Sequence, residues 1–393
     1  QQQSTKNQLC YVAKIRIAAC ELTPLRLFTI IGPIQIMKRA LPILWLILLA
    51  GLVVLAAWQS RRLAGVRRER LPEAYTGAAS DVPPAITFVM AGLGGFRGVV
   101  SEVLWFRANR LQDAGRYLEL VQLADWLTML DPHASEAWVY NAWNLAYNVS
   151  VMMGRPEDRL RWVLNGITLL RDDGLRFNPR DARLYRELAW FYQNKVGDAL
   201  DNAHLTYKAD LARQLAPCVN IDGTVNVTPE NRLRLSALRL DADRMAALQR
   251  RFGPLDWRLA NSHAIYWAAQ GLEFATGHER LMCRRAVYQP LVLSVFNGRL
   301  TGDIDARQWQ TAPNLDLALP AAGFLLDTYR DHPSATMKMV SQRFLSQAVH
   351  DVYRDGRADE ARQLFAHLTA LSSAPDRQPS FEDVIKNPRQ SYE

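Results

Sequence analysis

The chain has 393 residues, of which 49% are hydrophobic, and a formal net charge of +8. That charge is local, because residues 1–36 carry a net +3, residues 37–73 carry +5, and residues 74–393 sum to zero. The distribution excludes a nucleic-acid-binding surface as the source of the basic charge; arginines beside a membrane favour anionic lipid headgroups. Four cysteines in 393 residues, two before and two far after the apolar run described next, make no disulfide framework, and they include no C-x-x-C motif.

Residues 40–58 (ALPILWLILLAGLVVLAAW) form an apolar run without a single charge. A helix rises about 1.5 Å per residue, so the run reaches roughly 28 Å, close to the ~30 Å hydrocarbon core of a bilayer. We therefore predict one uncleaved transmembrane helix in a bacterial inner membrane. Residues 1–39 are then an N-terminal extension, within which Met37 offers an alternative start, and residues 59–94 are a basic flank and a Pro- and Gly-punctuated linker.

The flanks of this run leave the side of the membrane open. The flank after it, RRLAGVRRER, is at least as basic as the MKR before it, and the positive-inside rule then places the large domain in the cytoplasm. However, MKR followed by an apolar core resembles a secretory signal, and long domains translocate against the charge bias. The state of Cys218 and Cys283 stays open as well, since a disulfide between them requires an oxidising compartment.

After residue 95, apolar residues spaced three and four apart predict helices through most of the chain. The first six are predicted at 96–113, 117–130, 135–153, 157–172, 182–196 and 202–215, separated by glycine and proline stop signals. Further on, we predict a loop followed by a helix that starts near Pro229, then helices at 237–251, 263–275 and 280–298, a loop at 299–318, and helices at 319–330 and 335–354.

A repeat accompanies these helices. Tetratricopeptide (TPR) repeats are helix–turn–helix units of about 34 residues, with bulky side chains at positions 4 and 11, a small one at position 8 and a proline near the end. Three units match, at Leu104, Ala108 and Leu111, at Trp138, Ala142 and Leu145, and at Tyr185, Leu188, Ala189 and Tyr192. The second unit is longer, because Pro179 follows Pro132 by 47 residues.

The predicted fold is therefore all-α: a TPR-like α-solenoid of helical hairpins with one N-terminal transmembrane helix. The TPR-like repeats occupy residues 95–217. Residues 218–335 depart from the pattern and form an irregular helical region with loops. Residues 336–371, which contain GRADEARQLF, form a C-terminal TPR-like helix pair, and residues 372–393 form a flexible tail.

Four stretches of the chain are similar to a group of uncharacterised membrane-anchored TPR proteins of bacteria, of planctomycete and verrucomicrobial type. They read GFRGVVSEVLWFRANRLQDAGRYLELVQLADWLTMLDP, AWNLAYNVSV, LYRELAWFYQNKVGD and FGPLDWRLANSHAIYWA, and cover residues 95 to about 270. The resemblance implies the repeat fold and the membrane anchor, and it favours the periplasm for the soluble domain. It supplies no activity.

The predicted binding surface is the concave side of the repeats. In TPR arrays this side is lined by positions 2, 5, 9 and 12 of each first helix, where tryptophans supply contact area and amides and guanidinium groups hold an extended backbone or carboxylates. Those positions give a partner-binding groove of Glu102, Trp105, Asn109, Gln112, Glu136, Trp143, Arg183, Arg186, Trp190 and Gln193, together with Val139 and Ala146. The competing interpretation is that the tryptophans pack inside the fold.

The function predicted from these features is a membrane-anchored scaffold or adaptor that binds a partner protein, for example as an accessory subunit of a bacterial membrane complex. We predict no catalytic residue, metal, cofactor or nucleic-acid partner; the spacing of Gly92, Gly94 and Gly95 does not fit a dinucleotide-binding loop. The alternative is an enzyme or enzyme subunit with a polar site in residues 218–335 around Asp256, Arg258 and His263. A deep polar pocket converging on those three residues would favour it.

Overall fold

The computed structural model describes residues 45, 47–55, 58, 59, 62, 97–306, 308–371 and 380–388. The predicted extension (1–39) and most of the predicted linker (59–94) lie outside the described residues. Within the predicted span, residues 45, 47–55 and 58 are described, and all are helical. The large apolar side chains among them are exposed.

No helix found in the described residues combines the length and the apolar character that crossing a membrane requires.

From residue 97 onward the described chain is almost entirely helical, which confirms the prediction of an all-α protein. In chain order the helices are α1 (Arg97–Asp113), α2 (Tyr117–Leu130), α3 (Ser135–Trp143), α4 (Pro156–Thr168), α5 (Ala182–Trp190), α6 (His204–Leu215), α7 (Pro229–Ala237), α8 (Ala242–Phe252), α9 (Ala260–Phe274), α10 (Gly277–Asn297), α11 (Ala318–Asp331), α12 (Ala335–Arg354), α13 (Ala358–Ala370) and α14 (Phe381–Lys386). The six helices predicted between residues 96 and 215 correspond to α1–α6.

Three of these helices run on into π-helical turns, in which hydrogen bonds join residues five apart and one extra residue enters the helix. Helix α3 continues through Asn144–Val149 to Met152, α4 through Leu169–Gly174 to Phe177, and α5 through Phe191–Val196. The residues that lengthen the second predicted unit beyond 34 therefore extend helices and do not form a loop.

Helices α7 and α8 correspond to the helix predicted to start near Pro229 and to the helix predicted at 237–251, and α8 begins five residues later than predicted. Helix α7 ends at Ala237, and Arg239 adopts a left-handed backbone with φ of 59°. The side chain of Asp241 then accepts a hydrogen bond from the backbone N–H of Arg244 and starts α8. A left-handed residue followed by an N-cap ends one helix and begins another, which separates α7 from α8.

Two segments predicted to be irregular contain regular structure. Residues 299–318 include an antiparallel hairpin of β1 (Arg299–Asp303) and β2 (Gln308–Ala312), in which Arg299 pairs with Ala312. The predicted flexible tail contains α14, which begins with a capping box at Ser380 and buries Val384 against the main core.

Helices α3 and α5 repeat one local structure at an interval of 47 residues. The Trp138 indole donates a hydrogen bond to the carbonyl oxygen of Pro132, and the Tyr185 hydroxyl donates to that of Pro179. The π turns that follow start at Asn144 and at Phe191, again 47 residues apart. These two stretches are therefore structurally equivalent.

Neighbouring helices pack in pairs along most of the chain: α1 on α2, α3 with its π turn on α4, α9 on α10, and α12 on α13. Helix α5 is different, because its main partner is the distant α9 and not the following α6. Small residues on α9 allow this close approach. A Cβ atom on Gly271 would lie 3.0 Å from Cβ of Tyr185 and 3.2 Å from the carbonyl oxygen of Ala182.

Cys218 and Cys283 are free thiols, and both are buried. Burial raises the pKa of the Cys283 thiol to about 12, so that this thiol stays protonated at neutral pH and has low reactivity.

A buried ionic cluster ties α6 to α4 and to the end of α5. Lys195 Nζ donates a 2.6 Å hydrogen bond to Asp201 Oδ2, and the two side chains are only 5% and 6% exposed. The Tyr207 hydroxyl and Arg159 Nη1 donate to the same carboxylate at 3.0 and 3.2 Å. Burial alone would raise the pKa of Asp201, but the hydrogen bonds, that from Lys195 first, lower it to about 2.

We predict that Asp201→Asn lowers the free energy of unfolding at pH 7 by about 3–5 kcal/mol, because it leaves the buried Lys195 charge uncompensated. The folded-state pKa lies below the ordinary value of 3.8, so the contribution is complete above that value and is lost as the pH falls towards 2. Urea unfolding of the wild type and the variant between pH 7 and pH 2.5 should show the difference shrinking below pH ~4.

The matched control is Asp243→Asn. Asp243 forms an ion pair with Arg232 at the surface, where its side chain is 68% exposed, and its loss should leave the free energy of unfolding almost unchanged. Equal effects of the two substitutions would contradict the role assigned to the buried cluster.

Candidate functional site

The ten residues of the predicted groove all lie at the surface, and we call this set the groove face. Glu102, Asn109, Gln112, Glu136 and Trp190 are exposed, and Trp105, Trp143, Arg183, Arg186 and Gln193 are half-buried. The tryptophans are therefore neither fully interior nor fully open: Trp190 is 42% exposed, whereas Trp105 and Trp143 present only part of their rings.

Val139 and Ala146, which the repeat positions also placed in the groove, are buried in the main core. Ala146 lies inside the π turn Asn144–Val149, where an extra residue displaces the regular helical spacing. One position later, the Tyr147 ring stacks on Trp143 with ring centroids 4.3 Å apart. Tyr147 thus takes the place predicted for Ala146.

The structure brings Trp143 of α3 and Trp190 of α5 together. Their rings stack with centroids 6.4 Å apart, and Phe191 meets Trp143 edge-on at 5.9 Å. Trp143 is fixed at its polar end as well, because its indole N–H donates to Glu187 Oε2 at 3.0 Å. The exposed Trp190 ring therefore rests on an ordered aromatic neighbour.

Charged pairs along the groove face join three helices. Arg183 Nη1 of α5 donates a 2.6 Å hydrogen bond to Glu136 Oε1 of α3, a residue 47 positions earlier. Arg186 contacts two carboxylates, Glu187 of its own helix and Glu279 of α10. These arginines are held at fixed positions at the surface, with part of each side chain still accessible.

At the first helix the groove face is organised by a residue that the repeat positions missed. The Tyr140 ring meets Trp105 edge-on at 5.0 Å, and its hydroxyl donates a 2.7 Å hydrogen bond to Gln112 Oε1. Glu136, Tyr140, Trp143 and Tyr147 follow one another at spacings of four, three and four, the pattern of a single helix face. That spacing, counted from Glu136, is the signal that would have identified both tyrosines.

Asp256, the centre of the alternative site, is buried and fully engaged by protein groups. Its Oδ1 accepts hydrogen bonds from the backbone N–H and Nε of Arg258, and its Oδ2 accepts from Arg258 Nη2 and the backbone N–H of Leu300. Gly223 packs against it with φ of 84°, and a Cβ there would lie 2.2 Å from the carboxylate. The Asp256 carboxylate thus acts as a structural brace: it holds together the turn at Gly223, the Arg258 side chain and strand β1.

His263 is buried away from that carboxylate and does not form an acid–base pair with it. Its Nε2 lies 2.9 Å from the carbonyl oxygen of Trp257, and its ring stacks on Tyr192 with centroids 5.0 Å apart. Burial lowers the pKa of His263 to about 4, which the Trp257 carbonyl only partly offsets, so the imidazole is neutral at pH 7.

A cavity of about 640 Å³ lies beside this brace, and we call it the polar cavity. It is lined by Arg258 but by neither Asp256 nor His263. The three residues therefore do not converge on a pocket, which was the arrangement expected for the enzyme alternative. Within the described ranges, no group of three or more His, Cys, Asp or Glu side chains is placed to hold a metal ion.

Comparison with protein-family models, with curated proteins and with solved structures finds no match to this chain. The functional argument accordingly rests on the geometry of the groove face and of the polar cavity.

We predict that His263 remains neutral down to pH 5 in the folded protein. Because its folded-state pKa, about 4, lies below the ordinary 6.5, the unfolded chain binds the proton more readily and stability falls as the pH drops from 6.5 towards 4. Between pH 6.5 and 5 this single group should account for about 2 kcal/mol of lost stability. Imidazole NMR and urea unfolding measure the two effects.

His263→Gln, which keeps a donor for the Trp257 carbonyl, should remove most of this slope. His278→Gln, at an exposed histidine, should leave it unchanged. A His263 ring that is already protonated at pH 6 would refute the prediction.

Proposed function

We propose that this protein is a membrane-anchored scaffold, built as a TPR-like solenoid, whose groove face binds an extended segment of a partner protein. The pairwise packing of successive helices and the 47-residue equivalence of α3 and α5 support the repeat architecture. In such arrays each hairpin covers the apolar side of its neighbour, and the aligned first helices present a continuous surface.

The observation that carries the proposal is the exposed Trp190 resting on the fixed Trp143 and flanked by Arg183 and Arg186. An aromatic ring that is ordered before binding provides contact area at a low cost in side-chain entropy. Arginines beside it recognise carboxylates or backbone carbonyls of a bound chain. Tryptophan and arginine are also the residue types that most often dominate binding energy at interfaces.

The same geometry makes an enzyme centred on Asp256, Arg258 and His263 a weaker candidate. Asp256 has its oxygens occupied by protein donors, and His263 is neutral and buried. Neither group lines the polar cavity. Their positions support a structural role.

We predict that Trp190→Ala weakens partner binding by at least about tenfold, whereas Trp126→Ala leaves it unchanged. Trp126 is a matched control, because it is a tryptophan of similar exposure, 51% against 42%, that lies on α2 outside the groove face. The full chain is purified in mild detergent and its bound proteins are quantified by mass spectrometry. The identified partner is then titrated against both variants.

Recovery of the full chain alone at stoichiometric purity would count against the scaffold. Retention of the partner by Trp190→Ala would show that binding occurs elsewhere than on the groove face, and equal loss with both variants would contradict a specific role of Trp190.

The anchor is the second part of the proposal. Residues 40–58 carry no charge, the described residues among them are helical, and the large apolar side chains there are exposed, with Trp45 at 64% and Val54 at 69%. Such a surface is costly in water and stable in hydrocarbon. The bacterial inner membrane is the proposed location.

We predict that deleting residues 40–58 releases the protein from membranes, while deleting residues 1–36 does not. Membranes from expressing cells are washed with alkaline carbonate, and pellet and supernatant are probed for the chain. The wild type and the 1–36 deletion should stay in the pellet, because the apolar run is retained in both. The anchor would be disproved if the chain without residues 40–58 stayed in the pellet and still unfolded cooperatively after extraction in detergent.

A further inference from the structure

The polar cavity is built largely by elements that do not belong to the paired-helix pattern. One wall comes from α6, another from residues 258–261 at the start of α9, and a third from the β1–β2 hairpin. The remaining walls are the end of the π turn of α5 and the end of α10. Additions from three separate parts of the sequence thus converge on one open cavity, whose volume of about 640 Å³ is that of a small-molecule site.

Two cationic side chains line this space. Arg258 is held by Asp256 through Nε and Nη2, and its Nη2 also donates to the carbonyl oxygen of Leu300. Its Nη1 takes part in none of the hydrogen bonds found among the described residues. A buried carboxylate therefore fixes the guanidinium of a residue that lines the cavity, and it leaves Nη1 free to bind a ligand.

Lys208 supplies the second cation. Among the described residues no carboxylate lies within ion-pairing distance of its Nζ, whose nearest polar contact is His204 Nδ1 at 3.2 Å. Burial lowers the pKa of Lys208, and burial followed by the Lys208 charge lowers that of His204. Among the described lining residues the acidic one is Asp198, which is exposed and partly offsets the effect of burial on the pKa of Lys208. Arg258 is thus neutralised by Asp256, whereas Lys208 has no direct ion pair among the described residues.

The rest of the lining is uncharged, and it combines apolar side chains such as Leu205, Leu293 and Ile304 with hydrogen-bonding groups. The amides of Gln193, Asn261, Asn297 and Gln310 border the space, and so does the half-buried indole of Trp309 on β2. Amides pair with hydroxyl or amide groups, and an indole face packs against a flat or ring-shaped body. The chemistry complementary to this lining is one anionic group on an uncharged body that carries several hydrogen-bonding groups.

We infer that the polar cavity binds a small organic acid, with its carboxylate between Lys208 and Arg258 and its hydroxyl- or amide-bearing body against Trp309 and the amides. This site is separate from the partner-binding role proposed for the groove face. It would persist in variants of Trp190.

The test uses two pairs of probes that differ only in the acid group: D-galacturonate with D-galactose, and N-acetylalanine with N-acetylalanine amide. Isothermal titration calorimetry is performed on the full chain in detergent. At least one acid should bind about tenfold or more tightly than its neutral partner, the factor expected for hydrogen bonds to a charged group. Which pair responds distinguishes a sugar-like from a peptide-like body.

The variants identify the site. Lys208→Gln should reduce the affinity of the acid by about tenfold and abolish its advantage over the neutral probe, and Lys208→Arg should retain most of it. Lys386→Gln removes an equal charge from α14, outside the cavity lining, and should have no effect. Trp309→Ala should weaken the acid and the neutral probe alike.

The inference is overturned if neither acid binds at millimolar concentration, if the neutral probes bind as tightly as the acids, or if Lys208→Gln binds as the wild type does. Thermal unfolding of each variant without ligand verifies that the cavity is folded. A Trp190→Ala chain that loses the partner protein but keeps the acid separates this result from the fate of the scaffold proposal.

Discussion

The close contact between α5 and α9 is the constraint on which both candidate sites depend. It exists because α9 presents alanines and Gly271 to α5, so that the backbones approach more closely than larger side chains would permit. The outer side of α5 carries Trp190 and two arginines of the groove face. Its last turn and the first turn of α9 form two walls of the polar cavity. A shift of α5 would therefore alter both surfaces together.

Two buried aspartates attach segments outside the paired-helix pattern to the rest of the fold. Asp256 joins a left-handed turn at Gly223, the guanidinium of Arg258 and the first strand of the hairpin. Asp201 does the same for α6, through Lys195. In each case a carboxylate accepts several hydrogen bonds, which is the condition under which a buried ion is tolerated. An Asp, an Arg and a His within eight residues look catalytic in a sequence, but here their partners are structural.

Most helices could be predicted from the sequence, because amphipathic spacing and helix stop signals depend only on residues that are close together in the chain. What was missed depends on features that act at longer range or at single residues. The start of α8 was placed five residues too early, because the break before it depends on a single left-handed residue, Arg239, in an otherwise helical stretch. The β hairpin is stabilised from outside, since Leu300 donates its N–H to Asp256, which is 44 residues away. Tyr147 was missed because positions counted on a regular repeat do not allow for a π turn, and Tyr140 was missed because it falls between the repeat positions that were counted.

The π turns explain why the groove face departs from a regular repeat. Each adds one residue to a helix, which rotates every later side chain relative to those before it. In α3 this rotation sends Ala146 into the core and places Tyr147 against Trp143. In α5 the equivalent turn leaves Trp190 as the last residue of regular helix and carries Gln193 to the edge of the polar cavity. One extra residue in α5 thus divides the helix between two surfaces, with the groove face before the turn and the cavity wall after it.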